Sequence, residues 1–324
     1  MAAQAVLVAE EPPPPKRRRG DKPGESAPVG TKLVWFAMTV PGIVVLVLLF
    51  VVPFYAVLAV AGGTVNEIVG TPIPVWNPLE WTTTAYQAVW HDLTGSGSFL
   101  WPVIERTAVY VAVAAFVSLL IAYPAAYFVS RFAGRRKGLL LALLLAPFWV
   151  SYMMRMLAWI DLLQTDGYVN KILMHLHLIS TPVTWLGGNS LTVVFGLIYG
   201  YVPYLILVLY AGLDRIDGRL IEAGRDLGLG RARTFWHVTL PMSRATIVTG
   251  MLITILPMIG DYYTNQMLSG AAHTSMLGNV IEGQLNSTGL QAEGAALSLL
   301  LLLVLTIPML YYVITTNRAS RMAS

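Results

Sequence analysis

Residues 222–241 read EAGRDLGLGRARTFWHVTLP, a polar, arginine-rich stretch set between long apolar runs in a chain of 324 residues that is 56% hydrophobic and 12% charged. Leu220, Ile221, Gly224 and Leu227 recur at helical spacing, while Arg219, Glu222, Arg225 and Asp226 fall on the other side. Asp217 stands where a carboxylate caps a helix start, and Gly228 stands where glycine ends one. The spacing predicts a short amphipathic helix stopped by glycine, within a loop over about residues 214–241 that is built to be gripped.

The flanking sequence sets the fold class. Apolar runs lie at 33–60, 100–129, 139–163, 191–213, 245–268 and 295–316, each near or above the about 20 residues that cross a bilayer as a helix. Backbone groups in hydrocarbon must bond within their own segment, and the alternation of a membrane β-barrel is missing. The expectation is an all-α membrane protein with six transmembrane helices over residues 31–324. Residues 1–30, with four prolines at 12–15 followed by KRRR at 16–19, cannot bury a core and are expected to form a disordered basic tail on the cytoplasmic leaflet. The first apolar run is too long for a cleaved signal peptide, and no small-residue cleavage site accompanies it.

Basic residues orient the spans. Of the 21 in the chain, all but Arg106, Arg155 and Lys171 fall in the tail, after the second, fourth and sixth runs. Excess lysine and arginine marks the cytoplasmic side, so both termini and the loop at Glu222 are expected there. The net charge of +4 then records topology and gives no reason to invoke nucleic acid. The absence of cysteine excludes disulfides and thiol chemistry. No GxxxxGK[ST] phosphate loop is present, so ATP hydrolysis by that motif is excluded. His175 and His177, two residues apart, suit a metal site poorly, and no nucleophile, base and acid are arranged for catalysis.

Charges within spans cost about 2.5 to 3.5 kcal/mol each on insertion scales and therefore need a partner or a wet path. Three positions qualify: Arg155, Asp161 and Asp261. Arg155 and Asp161, six residues apart, lie on different faces of one helix, and each is expected to look into the interior between helices. Asp261 with Tyr262 and Tyr263 forms the strongest substrate candidate, since a carboxylate pairs with an ammonium group and an aromatic face holds a cation. The alternative is structural, with Asp261 paired to Arg155 or to backbone and the tyrosines packing the bundle. Trp149 and Trp159 read as interfacial aromatic packing, and Glu105 and Arg106, near the external end of the second run, as members of a local or interhelical ion pair.

Several of these stretches resemble a known family. Glu222, Ala223 and Gly228, followed after nine residues by Val238, Leu240 and Pro241, resemble the EAA loop of permease subunits in ATP-binding-cassette importers. Gly224 stands where a second alanine is usual, and Val238 where isoleucine is usual. Glu105-Arg106-Thr107, AYPAAYFVSR at 122–131, PFWVSYMMRMLAW at 147–159, Gly260-Asp261-Tyr262 and SMLGNVI at 275–281 resemble polyamine-type permeases. The likeness runs from about residue 100 to the end and is nearest to the first permease of spermidine/putrescine importers. Relatives for thiamine, ferric iron, opines and aminoethylphosphonate share much of the pattern.

This resemblance implies a type I importer permease fold in a bacterial inner membrane. It further implies a cytoplasmic coupling helix carrying Glu222, Ala223, Gly224, Gly228, Leu240 and Pro241. Around Asp261, Tyr262, Tyr263, Asp161, Trp159 and Arg155 it implies a substrate pathway. The implied partners are a second homologous permease, an ATPase dimer that binds the ATP and magnesium, lipid, and a substrate-binding protein met by residues 62–97. No cofactor is implied in this chain. The competing expectation is a secondary transporter using Asp161 and Asp261 as ion sites, against which stands the lack of an inverted repeat.

Overall fold

A computed structural model describes residues 29–66, 68–95 and 97–322. The tail expected over residues 1–30 lies, up to residue 28, outside the described residues. The chain divides into two compact units, Met1–Phe54 and Tyr55–Ser324. In the first, the described residues form one helix from Val29, with a π turn at Val47–Val51. Its apolar portion, Phe36–Ala61 (α1), continues past Phe54 into the second unit. Phe36, Leu49 and Phe50 stand exposed along it, an arrangement stable only where the surround is itself apolar.

The second unit is built on two long helices, α3 (Leu100–Phe132) and α7 (Ser190–Asp214), packed along their lengths. Between α1 and α3, residues 62–97 hold an antiparallel ribbon, β1 (Thr64–Val65) and β2 (Pro72–Ile73), with Thr64 opposite Ile73, and the short helix α2 (Thr84–Thr94). The all-α expectation thus has one small exception, in a segment rich in glycine and proline. Ala114, Ala115, Ala122 and Ala126 of α3 are buried against Val193, Leu197, Leu205 and Leu209 of α7. Small residues at such a seam let backbones approach closely, which is how helices gain packing without a hydrophobic drive between them.

Among the described residues, four helices are long and apolar enough to cross a membrane: α1, α3, α7 and the last, α13 (Gln291–Met322), apolar over Gln291–Ile314. Two further candidates are bent pairs. The expected run 139–163 is α4 (Gly134–Trp149) and α5 (Tyr152–Leu163), meeting at 82° and followed by the short helix α6 (Tyr168–His175). Pro147 lacks a backbone donor there, and Val150 is extended, so the helix stops and restarts. A second pair, α9 (Arg231–Met242) and α10 (Arg244–Ile259), bends by 62°. The expected run 245–268 also breaks again after α10: Gly260 and Asp261 leave the helix, and a short helix, α11 (Tyr263–Leu268), restarts it. Among the described residues the count is therefore four spans, or up to six if each bent pair is one.

Candidate functional site

The stretch that opened the sequence reading forms helix α8 (Gly218–Asp226). Asp217 Oδ1 accepts the amide of Arg219 at 3.0 Å, so the expected N-cap is in place. At the other end Gly228 has φ of +86°. The Gly228 amide donates to Arg225 O at 2.9 Å and the Leu229 amide to Gly224 O at 3.2 Å, a left-handed glycine closure of the helix end.

One part of the expected apolar face is corrected. Ile221 and Gly224 are buried, but Leu220 is 47% and Leu227 85% exposed. The reason is coverage: α9 returns over only one side of a nine-residue helix, placing Val238 and Thr234 against Gly224. The two departures from the importer pattern, Gly224 and Val238, therefore touch each other; a Cβ on Gly224 would lie 3.3 Å from Val238 Cγ2. Glu222, Ala223, Arg225, Asp226 and Gly228 are exposed, Trp236 is exposed beside them, and Leu240 and Pro241 are half-buried.

The buried side of this loop is fastened to the bundle. Phe235 packs edge-on against Tyr123 and Tyr127 of α3, with ring centroids 5.8 and 5.5 Å apart. Tyr123 and Ser243 share a hydroxyl hydrogen bond of 2.8 Å at the α9–α10 bend. Arg131, at the end of α3, donates through Nη2 to Leu213 O and Ile216 O at 2.9 and 3.0 Å, closing the end of α7 from which α8 departs. Lys137 and Asp214 form an ion pair beside it. Through α9 and the end of α7, α8 is thus joined to α3, α7 and α10.

The remaining candidates gather where the spans break. Asp261 is 9% exposed. Its carboxylate accepts the Thr264 amide at 2.9 Å, the Thr264 hydroxyl at 2.7 Å and the Tyr201 hydroxyl at 3.3 Å. Tyr152 reaches the same Thr264 hydroxyl at 2.5 Å. Asp261 thus caps the restarted α11 and ties it to α7 and α5. Tyr263 packs against Tyr152, whereas Tyr262 stands 40% exposed. Tyr262 O accepts from Asn279 Nδ2 at 2.7 Å, which pins the break to helix α12 (Leu277–Asn286).

Arg155 is 8% exposed and lies in an aromatic cage. Its guanidinium carbon is 4.2 Å from the Phe148 ring centre, 5.2 Å from that of Tyr152 and 5.8 Å from that of Tyr199. Nε and Nη1 are buried without a hydrogen-bond partner. Cation–π attraction, stronger when desolvated, offsets part of that cost. Trp159, one turn on, packs edge-on to Phe195 and Tyr199 of α7 at 4.6 and 5.3 Å.

The structure separates what the sequence grouped. Arg155 and Asp261 are buried and share neighbours through Tyr152, but they form no ion pair. Asp161, expected to face the interior, is exposed and meets only Gln164 Nε2 at 3.4 Å; it lies on the side of α5 that α7 does not cover. Arg106 is not paired with Glu105: its Nε donates to Ser275 O at 2.8 Å, and Glu105 is exposed. Trp149 is 87% exposed, while Trp159 is half-buried. Among the described residues no cluster of three or more potential metal ligands occurs. Sequence reasoning passed over Tyr152, Tyr199, Tyr201 and Thr264. Tyr152 lies three before Arg155 and Thr264 three after Asp261, so helical spacing could have found both; Tyr199 and Tyr201 are tertiary.

Comparison with known proteins agrees with this arrangement. Residues 118–323 match the family described as binding-protein-dependent transport system inner membrane component. The chain is similar to the spermidine/putrescine transport system permease protein PotB of Escherichia coli strain K12, 33% identical over 210 residues, 65% of this chain and 74% of that protein. Its counterpart in Haemophilus influenzae is 30% identical over 270 residues, 82% and 88% of the two chains. Among solved structures, a bacterial ABC transporter involved in alginate import matches at a TM-score of 0.65 and 15% identity, covering 90% of this chain and 97% of that one. The alginate transporter in complex with its pentasaccharide-bound periplasmic protein matches at 0.69 and 14% identity, covering 90% and 96%. At such identity the structures show the shared fold.

Proposed function

Because the chain belongs to the family of inner membrane components of binding-protein-dependent transport systems, we propose that it is one permease subunit of an ATP-driven importer of polyamines, the cargo named for its PotB relatives. It is a multi-pass inner-membrane transport permease; chemistry on ATP and magnesium belongs to a partner ATPase dimer. A second, homologous permease completes the pathway, and an extracytoplasmic binding protein delivers cargo, meeting residues 62–97. Each bent pair counts as one span, giving six. The arginines and lysine at 131–137, 215–233 and 244 crowd the end of the bundle that carries α8, which by the positive-inside rule is cytoplasmic together with both termini.

The observation that carries this reading is the two-sidedness of α8: Ile221 and Gly224 are seated on α9, while Glu222, Ala223, Leu227 and Gly228 stand free. Closure of the ATPases on ATP moves the free face. The seated face passes the motion through Val238 and Phe235 to Tyr123 and Tyr127, and through Leu240, Pro241 and Ser243 to α10, so the spans switch between inward- and outward-facing states. Along the pathway the roles divide by contact. Asp261 shapes the break, Tyr263 packs it, Arg155 and Trp159 hold α5 on α7, Asp161 stands toward a neighbouring subunit, and Tyr262 is open to cargo.

Glu222→Ala tests the reading. Glu222 has an exposed side chain, so the variant should remain in the membrane and assemble. Polyamine uptake should fall at least tenfold while stimulation of the ATPase by loaded binding protein is lost. Wild-type uptake with wild-type stimulation would overturn the role of α8.

A further inference from the structure

Beside the break at Gly260–Asp261 lies a cavity of about 300 Å3 bordered by Gly260, Tyr262, Gly278, Ile281, Glu282 and Leu285, with Asn286 at its rim. We propose that it is an alkylammonium seat, in which the Glu282 carboxylate takes the charged nitrogen, the Tyr262 ring covers it and Ile281 with Leu285 hold the methylenes. The proposal rests on the polyamine reading above and names the residues that would meet the cargo.

The cavity is held in shape. Gly278 packs so close to the break that a Cβ there would lie 2.5 Å from Gly260 O, so α12 is seated on the interrupted span without a side chain between them. Asn279 ties the two parts together: its Nδ2 donates to Tyr262 O at 2.7 Å, and its Oδ1 accepts from Asn265 Nδ2 at 2.9 Å and from the Met276 amide at 3.0 Å. Glu282 follows Asn279 by three residues on the same helix, hence on an adjoining face. Fixing the backbone at Tyr262 and the first turn of α12 therefore fixes the backbone positions from which the tyrosine and the carboxylate extend. A backbone held in advance lowers the ordering cost of binding.

The chemistry fits a primary ammonium on a carbon chain. Glu282 is half-buried; one oxygen accepts from Asn286 Nδ2 at 2.7 Å, and no ion pair to a basic group forms among the described residues. Asp261 differs, because Thr264 and Tyr201 already meet its carboxylate. Tyr262 is 40% exposed and its ring meets that of Tyr263 edge-on, with centroids 6.3 Å apart; an aromatic ring so exposed offers cation–π attraction. The cavity also lies at the end of the bundle opposite α8: the Leu277 amide donates to Thr107 Oγ1 at 2.9 Å, within the first turns of α3. With α8 cytoplasmic, that end faces the delivered cargo.

The test uses the complete importer in membrane vesicles with its loaded binding protein and labelled putrescine and spermidine. E282Q keeps an acceptor for Asn286 and removes only the charge. Uptake at saturating polyamine should fall at least fivefold with binding-protein-stimulated ATPase activity within twofold of wild type, E282D should retain at least half of the uptake, and Y262L should lose severalfold while Y262F does not. Full uptake by E282Q in an assembly whose wild type imports polyamine would overturn the seat alone. A wild-type assembly that imports no polyamine would overturn the parent reading and the seat with it.

Discussion

The finger at residues 218–228 and the break at residues 259–264 are both short polar interruptions of apolar sequence, and they direct their polar groups oppositely. Around α8 the carboxylates and guanidinia of Glu222, Arg225 and Asp226 point away from the bundle. At the break, Asp261 turns inward onto Thr264 and Tyr201. A polar group left outward by an anchored helix can act on another protein. One turned inward sets the geometry of its own chain. Under the proposed function, the first region would transmit motion and the second would shape the pathway.

The sharpest way to break the contrast is at Asp261. Asp261→Ala would leave the Thr264 amide and two hydroxyls without their acceptor in a buried site, which costs about 1–3 kcal/mol for each unmet group. The variant should assemble poorly and melt well below wild type in detergent, whereas Asp261→Asn should keep the Thr264 amide bond through Oδ1 and lose less stability. Equal melting of Asp261→Ala and wild type would mean that the carboxylate does not hold the break.

The next largest effect distinguishes two glycines of the finger. Gly228→Ala forces a side chain into the left-handed region at φ of +86° and should destabilise by about 1–2 kcal/mol. Gly224→Ala meets Val238 at 3.3 Å and removes a mid-helix glycine, so it should be neutral or up to about 1 kcal/mol stabilising. Thermal unfolding of the pair in one background measures both, and the reverse order would contradict the closure described for α8.

The smallest effect belongs to Arg155. Arg155→Met keeps a long side chain against Phe148, Tyr152 and Tyr199 and removes two unmet donors, so the melting temperature should hold or rise by a few degrees. A large fall would show that the guanidinium has an acceptor in the assembled importer.

What the sequence made legible follows from range. The finger was readable because caps, closing glycine and spacing all lie within a dozen residues, and Asp217 and Gly228 stand as read. The exposure of Leu227 was not, because it depends on how far α9 covers α8. Helical spacing placed Arg155 and Asp161 on different faces but could not say which face α7 would cover. Tyr201, 60 residues from Asp261, and Tyr199, which completes the Arg155 cage, become visible only once α7 lies beside α5 and α11. The break at Val150 follows from Pro147, yet proline alone does not fix its angle of 82°, and no local signal gives the 62° at Ser243.

The central claim, that α8 is an inward-side finger driven by a separate ATPase, can be measured at one atom because the natural chain has no cysteine. Glu222→Cys in the complete importer should react with a membrane-impermeant maleimide only in inside-out vesicles, and bound ATPase should block the reaction. Labelling from the outer side, or labelling that the ATPase leaves unchanged, would contradict the account.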